Sequence, residues 1–311
     1  MWETNFLQSS TWAEFQRKLG HQVIEKRTSN YSYVAFVEKG QISNRLYCPL
    51  GPLASNADSL KEAIADLKAE ARKLKLDFIR IEPTLPGLTD ATMKSLGLKK
   101  SHRDVQPPHT VISRVDRPND EILLDAVQTR RHLIRKCATG GIKYKTSYNP
   151  TDIHYFIDLI HEVADRTGMR PHDDMYFQQM AAFLFPTKHA GLLTAELDGK
   201  IVAALIFICD GTTMTYLHAA SATKLRKISP STGLVFYAVT LAHSMGCKYF
   251  DWCGVAPDKD DRNPRWDAWA GFTEFKLSFG GQRVDRIGTW ELPLNRKRYL
   301  VYRGLLAAAH R

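Results

Sequence analysis

The chain has 311 residues, 44% of them hydrophobic, and 43 Lys and Arg against 33 Asp and Glu. No apolar run approaches the roughly 20 residues of a membrane helix, and the start MWETNFLQSS lacks a basic region followed by an apolar one, so a cytoplasmic protein is expected rather than a membrane-spanning or secreted one. The five cysteines, Cys48, Cys137, Cys209, Cys247 and Cys253, are scattered, with no CxxC pair and no histidine at ligand spacing, which argues for a reduced compartment and against a metal.

The length favours two domains. The net charge of +10 favours polyanionic partners: tRNA, nucleotide-sugar phosphates, or peripheral contact with the inner membrane surface. NFLQSSTWAEFQRKLG reads as a strand end and then a helix capped at Ser10 or Thr11, with Trp12 and Phe15 turned to a core. HQVIEKR, YSYVAFVEKG and RLYCPLGPL follow as a three-strand meander. SLKEAIADLKAEARKLKL carries Leu60, Ile64, Leu67, Ala71 and Leu74 at helical spacing. DFIRIEP is a short strand stopped by Pro83. The next boundary falls at Pro107-Pro108, before a strand from Thr110 to Val115.

DEILLDAVQTRRHLIRKCATGGIKY predicts one helix ended by Gly140-Gly141. Arg131 and Arg135 lie one turn apart with Lys136 beside them, which is either a basic face offered to a polyanion or an ordinary solvated face. Arg166 and Arg170 bracket a break at Gly168, before a helix that starts at Asp173 or Asp174. Two guanidiniums there suit a diphosphate; ion pairs with Asp165, Asp173 or Asp174 are the alternative.

LLTAEL, a DGK turn and IVAALIFICD predict a hairpin, and MTYLHAAS a third strand. Ser229-Pro230 opens a helix through GLVFYAVTLAHSMG, after which GCKYFDWCGV is a strand dense in aromatic residues. APDKDDRNPRWDAWAG is a polar loop. TEFKLSFGG reads as an exit strand with Glu274 and Lys276 on one face and Phe275 and Leu277 on the other. Hairpin, strand, helix, strand, connection, strand is the order of an acyltransferase half-barrel of the GNAT type, and the first half repeats that plan. LRKISPSTG lacks the glycine-rich pyrophosphate loop of acetyl-CoA enzymes: Arg226 is present, but Ser229 and Ser231 hold the small positions.

These stretches carry a resemblance. FLQSSTW, CPLGPL, DFIRIEP, TRRHLIRKCATGGIKY, DRTGMRPHDDMYF, TYLHAAS, GCKYFDWCGV and FKLSFGG followed by GTWELP occur in the order of the FemABX peptidyltransferases, which add amino acids from aminoacyl-tRNA to the stem peptide of peptidoglycan precursors. The resemblance implies an α/β (α+β) chain of two tandem GNAT-like domains. Residues 1–109 with 288–311 would bind the precursor, and residues 110–287 would form the acyl-donor side. It implies that the last helix returns to the first domain, that the coiled-coil arm of some members is missing, and that the precursor lies in a cleft of the first domain and between domains.

By position the resemblance gives Arg166 a contact to the nucleotide diphosphate, with Tyr216 in the same site, and gives Lys276, after Phe275, the lysine of an FK pair near the acceptor; Arg170 joins that site as the second guanidinium beside Gly168. Glu82 stands where the family usually has an aspartate before proline. Gln16 stands where members often have a phosphate-binding lysine, a departure for which Arg17 and Lys18 are adjacent substitutes. Arg131, Arg135 and Lys136 are the expected tRNA contacts. No cofactor is implied.

The chemistry would be aminolysis of an ester. An amine whose ordinary pKa is about 10.4 must be neutral to attack. The Lys276 cation would stabilise the oxyanion, while Glu82 would orient or deprotonate the amine. Alternatives are an acyl-CoA-dependent N-acyltransferase, a non-catalytic RNA-binding protein, and a lipid aminoacyltransferase, which would normally carry membrane helices.

Overall fold

The computed structural model describes residues 5–222, 229–258, 266 and 269–308. Its elements run α1 (Ser10–Lys18), β1 (Val23–Arg27), β2 (Tyr31–Lys39), β3 (Asn44–Cys48), β4 (Leu53–Ala54), α2 (Ala57–Lys73), β5 (Phe78–Ile81), α3 (Asp90–Ser95) and β6 (Lys99–Lys100). They continue with β7 (His109–Arg114), α4 (Asn119–Asp125), α5 (Gln128–Thr139), β8 (Lys143–Ser147), α6 (Ile153–Thr167), α7 (Asp174–Leu184), β9 (Ala190–Leu197), β10 (Lys200–Cys209) and β11 (Thr213–Ser221). The last are α8 (Pro230–Ser244), β12 (Tyr249–Asp251), α9 (Ala270–Leu277), β13 (Gln282–Asp285), β14 (Trp290–Pro293) and α10 (Arg296–Ala308). The chain divides into two compact units, residues 1–108 with 285–311, and residues 109–284.

In the first unit the described strands form one sheet in the order β1-β2-β3-β5-β14-β6, with β4 paired to β2. All pairs are antiparallel except β3 with β5, the crossover that α2 makes. Asn56 caps α2 by accepting from the Ser59 N–H, and Leu60, Ile64, Leu67 and Ala71 are buried under the sheet. Leu74, the fifth of that stripe, is the half-buried C-cap. α10 lays Tyr299 and Tyr302 on Phe78, with ring centroids 5.4 and 5.0 Å away. Below them Arg80 makes a buried ion pair with Glu291 at 2.7 Å.

The second unit repeats the plan. Its described strands run β13-β7-β12-β11-β10-β9-β8, and β11 pairs in parallel with β12, to which α8 leads. The mixed α/β class expected from the sequence is present in both units. No helix among the described residues is long and apolar enough to cross a membrane.

Four local expectations are corrected. Residues 6–8 form a short 3-10 turn instead of a strand end, and Ser9 rather than Ser10 or Thr11 caps α1, accepting from the Trp12 N–H at 3.1 Å. The single helix expected through Gly140 is two, because Ala126 and Val127 take extended ψ angles of 144° and 153°. TEFKLSFGG is no strand: Thr273, Lys276 and Phe279, three residues apart, are all buried, and residues 270–277 are helical.

Candidate active site

The site grows from an irregularity in β11. Phe207 pairs with Tyr216 and Ile206 with His218, so Leu217 is the extra residue of a bulge. Tyr216 packs with the core under α8, whereas His218 packs on Phe156 and Phe177 of α6 and α7. Tyr216, Arg166 at the end of α6 and Phe275 of α9 line one cleft of about 250 Å³, and Ala203 and Ala204 leave the room for it. Burial raises the Tyr216 phenol pKa, so the hydroxyl stays neutral.

Lys276 lies directly beneath. Its side chain is 8% exposed, and Nζ donates to the carbonyls of Cys253 and, at 2.8 Å, of Gly254. Those carbonyls converge because Cys253 and Gly254 both take left-handed φ angles, 50° and 46°. Asp251 ties the turn, accepting from the Cys253 N–H at 2.8 Å and the Thr110 hydroxyl at 2.5 Å. The rings of Tyr216 and Phe272 stand 5.1 and 5.2 Å from Nζ. Burial pushes the ammonium pKa below the ordinary lysine value, against the opposing pull of Cys253 and Asp251. An ammonium has three N–H donors, and two are taken by the turn. Among the described residues no further hydrogen-bond acceptor takes the third. Lys276 was expected on a strand face pointing at the loop 256–271; it is instead a buried helical residue gripped by the turn before that loop, much of which lies outside the described residues.

A second cleft of about 540 Å³ shares Ser221, Ser231 and Phe275 with the first. It is lined by two charged residues, Glu274 and Arg130; the arginine is one that the sequence reading passed over in favour of Arg131. Arg130 donates to Ser278 Oγ and Thr232 Oγ1, both at 2.7 Å, and lies 4.6 Å over the Phe275 ring. The signal was present: Arg130, Ile134 and Cys137 fall at i, i+4 and i+7, the inward stripe of α5. Gly233 lets α8 approach α5 and β8, since a Cβ there would stand 2.8 Å from Cys137 Cβ and 1.8 Å from Tyr144 Oη.

The other expected residues are dispersed. Arg131 is half-buried and caps α4, donating to the Leu124 and Ala126 carbonyls at 3.1 and 2.7 Å, while Arg135 and Lys136 are exposed on α5. Arg170 is exposed beyond Gly168. Arg17 pairs with Glu25, and Gln16 is buried in the α1 core, so neither extends as the family lysine would. Glu82 is 3% exposed and accepts four hydrogen bonds: from Tyr47 and the Leu50 N–H on Oε2, and from Thr289 and the Gln106 N–H on Oε1. A carboxylate so saturated ties these loops together, and its four donors occupy the lone pairs that orienting or deprotonating an amine would use. Arg226 lies outside the described residues; Ser229 and Ser231 flank the first residue of α8. Among the described residues no group of His, Cys, Asp and Glu could hold a metal ion.

His218 gives a first test of this geometry. Burial, with His172 adjacent, pushes its pKa down to about 4. The unfolded chain therefore binds more protons than the folded one between about pH 6.5 and 4, so stability falls as pH drops through that window. A loss on the order of 2 kcal/mol is expected in urea titrations between pH 7 and pH 4.5, and His218→Phe should flatten it. The same slope in the variant would show that His218 does not cause it.

The family model described as "FemAB family" matches residues 187–306. Lipid II:glycine glycyltransferases of Staphylococcus epidermidis and Staphylococcus haemolyticus are each 20% identical, over 79% of this chain and 75% of theirs. The crystal structure of FemX superposes with a TM-score of 0.83 at 19% identity, covering 96% of this chain and 94% of that one. The C-terminal domain of a putative lysylphosphatidylglycerol synthetase from Agrobacterium fabrum gives 0.61 at 13% identity, over 94% and 90%. At these identities the structural likeness speaks for the fold.

Proposed function

The resemblance to the FemABX family holds, and from that premise we propose that this chain transfers an amino acid from aminoacyl-tRNA to the stem peptide of a peptidoglycan precursor. The supporting observation is the joining of Arg166, Tyr216 and Phe275 in one cleft with the Lys276 ammonium beneath Tyr216. The relatives named as lipid II:glycine glycyltransferases support a transferase acting on a precursor of that class. The charge of +10 suits a polyanionic donor.

In this reading a neutral amine of the stem peptide attacks the ester carbonyl of the aminoacyl-tRNA. The C–N bond forms, a tetrahedral oxyanion develops, and collapse expels the ribose oxygen, which takes up a proton as the amine loses one. The free N–H of Lys276 donates to the oxyanion, and its charge counts for more in a buried site than in water. The Cys253 and Gly254 carbonyls fix the ammonium beforehand, so no reorganisation is needed when charge develops. Arg166 offers a planar fork to the precursor's diphosphate.

Incubation of the protein with charged tRNAs and either a UDP-linked or a lipid-linked muropeptide should give a precursor heavier by one or more amino-acid residues in mass spectrometry. RNase treatment of the donor should abolish the product, and an activity that runs on acetyl-CoA alone would refute the proposal. Arg166→Ala should raise the Michaelis constant for the precursor at least 10-fold with kcat nearly unchanged, since a remote diphosphate is held alike in ground and transition states. Unchanged kinetics would make Arg166 a structural residue.

A further inference from the structure

The second cleft holds a cation that no carboxylate of the described residues contacts, although Glu274 in the same cleft acts on it from a distance. Arg130 is half-buried, and among the described residues no carboxylate forms an ion pair with it; Glu274, which lines the same cleft, is exposed and outside ion-pair distance. Burial lowers the guanidinium pKa, against the opposing pull of Glu274 and Cys137, so the lost solvation is only partly replaced. What replaces it is neutral: two hydroxyls and the faces of Phe275 and Phe279, at 4.6 and 5.1 Å. These contacts fix the fork and consume only two of its five N–H donors. The remaining donors have an open cleft of about 540 Å³ before them, bordered by the hydroxyl residues Thr129 and Ser231. A half-buried cation that no carboxylate contacts, facing an open cleft, is a place where an anion is stabilised.

The position of the cleft says which anion. Phe275 belongs to both clefts, with Arg166 in one, Arg130 in the other, and Lys276 next in sequence to the shared ring. A reaction between two phosphate-bearing substrates needs separate phosphate sites that meet at the reacting atoms, and two adjoining clefts with one arginine each meet that need. Pro230, first residue of α8, has no N–H to offer a pyrophosphate, and the glycine-rich turn of CoA enzymes is missing from LRKISPSTG. A single phosphodiester, gripped by a guanidinium fork, is what remains.

We propose that Arg130 and the cleft in front of it bind a backbone phosphate of the donor RNA close to its acylated end. The proposal rests on the tRNA-dependent reading above and deepens its donor side. Full-length protein titrated with a fluorescein-labelled RNA hairpin carrying a single-stranded 3′ overhang should bind with a Kd that rises steeply with salt. Arg130→Gln should weaken binding about 10-fold, the scale of one charge-assisted contact, and reduce the salt slope by about 0.7. Arg130→Lys should restore part of the affinity without the full fork geometry. Thr129→Glu, at an exposed position that leaves the packing intact, places a carboxylate in the cleft and should weaken RNA binding at least as much. Thr129→Glu and folded Arg130→Gln proteins that keep wild-type affinity and salt slope would overturn the proposal. So would binding of CoA that depends on Arg130 while the hairpin does not bind at all. Binding of RNA that depends on Arg130, in a protein that transfers nothing from charged tRNA, would uphold the site and refute the catalytic reading.

Discussion

Lys276→Met is expected to lower turnover by roughly 100-fold or more, the scale for losing one oxyanion donor. The substitution keeps the stem and removes the charge, so precursor and RNA binding should change little. It is not a surface change. With Nζ gone, the Cys253 and Gly254 carbonyls lose their donor, at a cost of about 1–3 kcal/mol for each group left unpaired, partly offset because no ammonium is buried. Turnover should therefore be measured well below the melting temperature of the variant. Lys276→Arg should recover little, since a guanidinium exceeds the space between the turn and the Tyr216 and Phe272 rings, and overpacking costs about 1–3 kcal/mol. The depressed lysine pKa adds a signature with two opposite signs. Activity that needs the cation falls as pH rises through the folded-state pKa, earlier than an ordinary lysine would allow. Stability over the same window rises with pH, because there the unfolded chain holds more protons than the folded one. A folded Lys276→Met protein with wild-type turnover would make the lysine a bystander and leave positioning as the source of the rate.

Why the sequence misread that lysine is instructive. Glu274, Phe275, Lys276 and Leu277 alternate in polarity, the period of a strand, over only four residues. The helical period appears only when Thr273, Lys276 and Phe279 are taken together, and a buried lysine is the member that hides it. Where apolar residues alone set the period the reading was sound, as in the α2 stripe from Leu60 to Ala71; the break at Gly168, with its φ of 71°, and the start of α8 at Pro230 also stand, although Ser229 makes no side-chain cap bond there. Arg130 was missed for the reason that hid Lys276, a charge on the inward stripe counted as surface. Hydrogen bonding to the backbone across distant segments was not legible at all. Nothing local to Glu82 announces that its four donors come from residues 47, 50, 106 and 289.

Those four donors define the second large expected effect. Each Glu82 oxygen accepts from one hydroxyl and one backbone N–H: Tyr47 with Leu50, and Thr289 with Gln106. In Glu82→Gln one oxygen becomes an NH₂ group, which can only donate. The hydroxyl on that side can turn and accept, but the backbone N–H cannot. One buried N–H is left unpaired, and a loss of about 1–3 kcal/mol follows. Glu82→Ala strands both N–H groups and opens a cavity, so a loss above about 4 kcal/mol is expected, with severe loss of folded protein. Turnover per folded molecule of Glu82→Gln should stay within about 3-fold of wild type, because every lone pair of Glu82 is already engaged and none faces an incoming amine. A general base behaves in the opposite way: Glu82→Gln would then cost about 100-fold or more in turnover and flatten the acid limb of the pH profile while the melting temperature barely moved. Thermal denaturation and steady-state rates on the same preparation separate the two, and a catalytic loss without a thermal one would return Glu82 to the reaction.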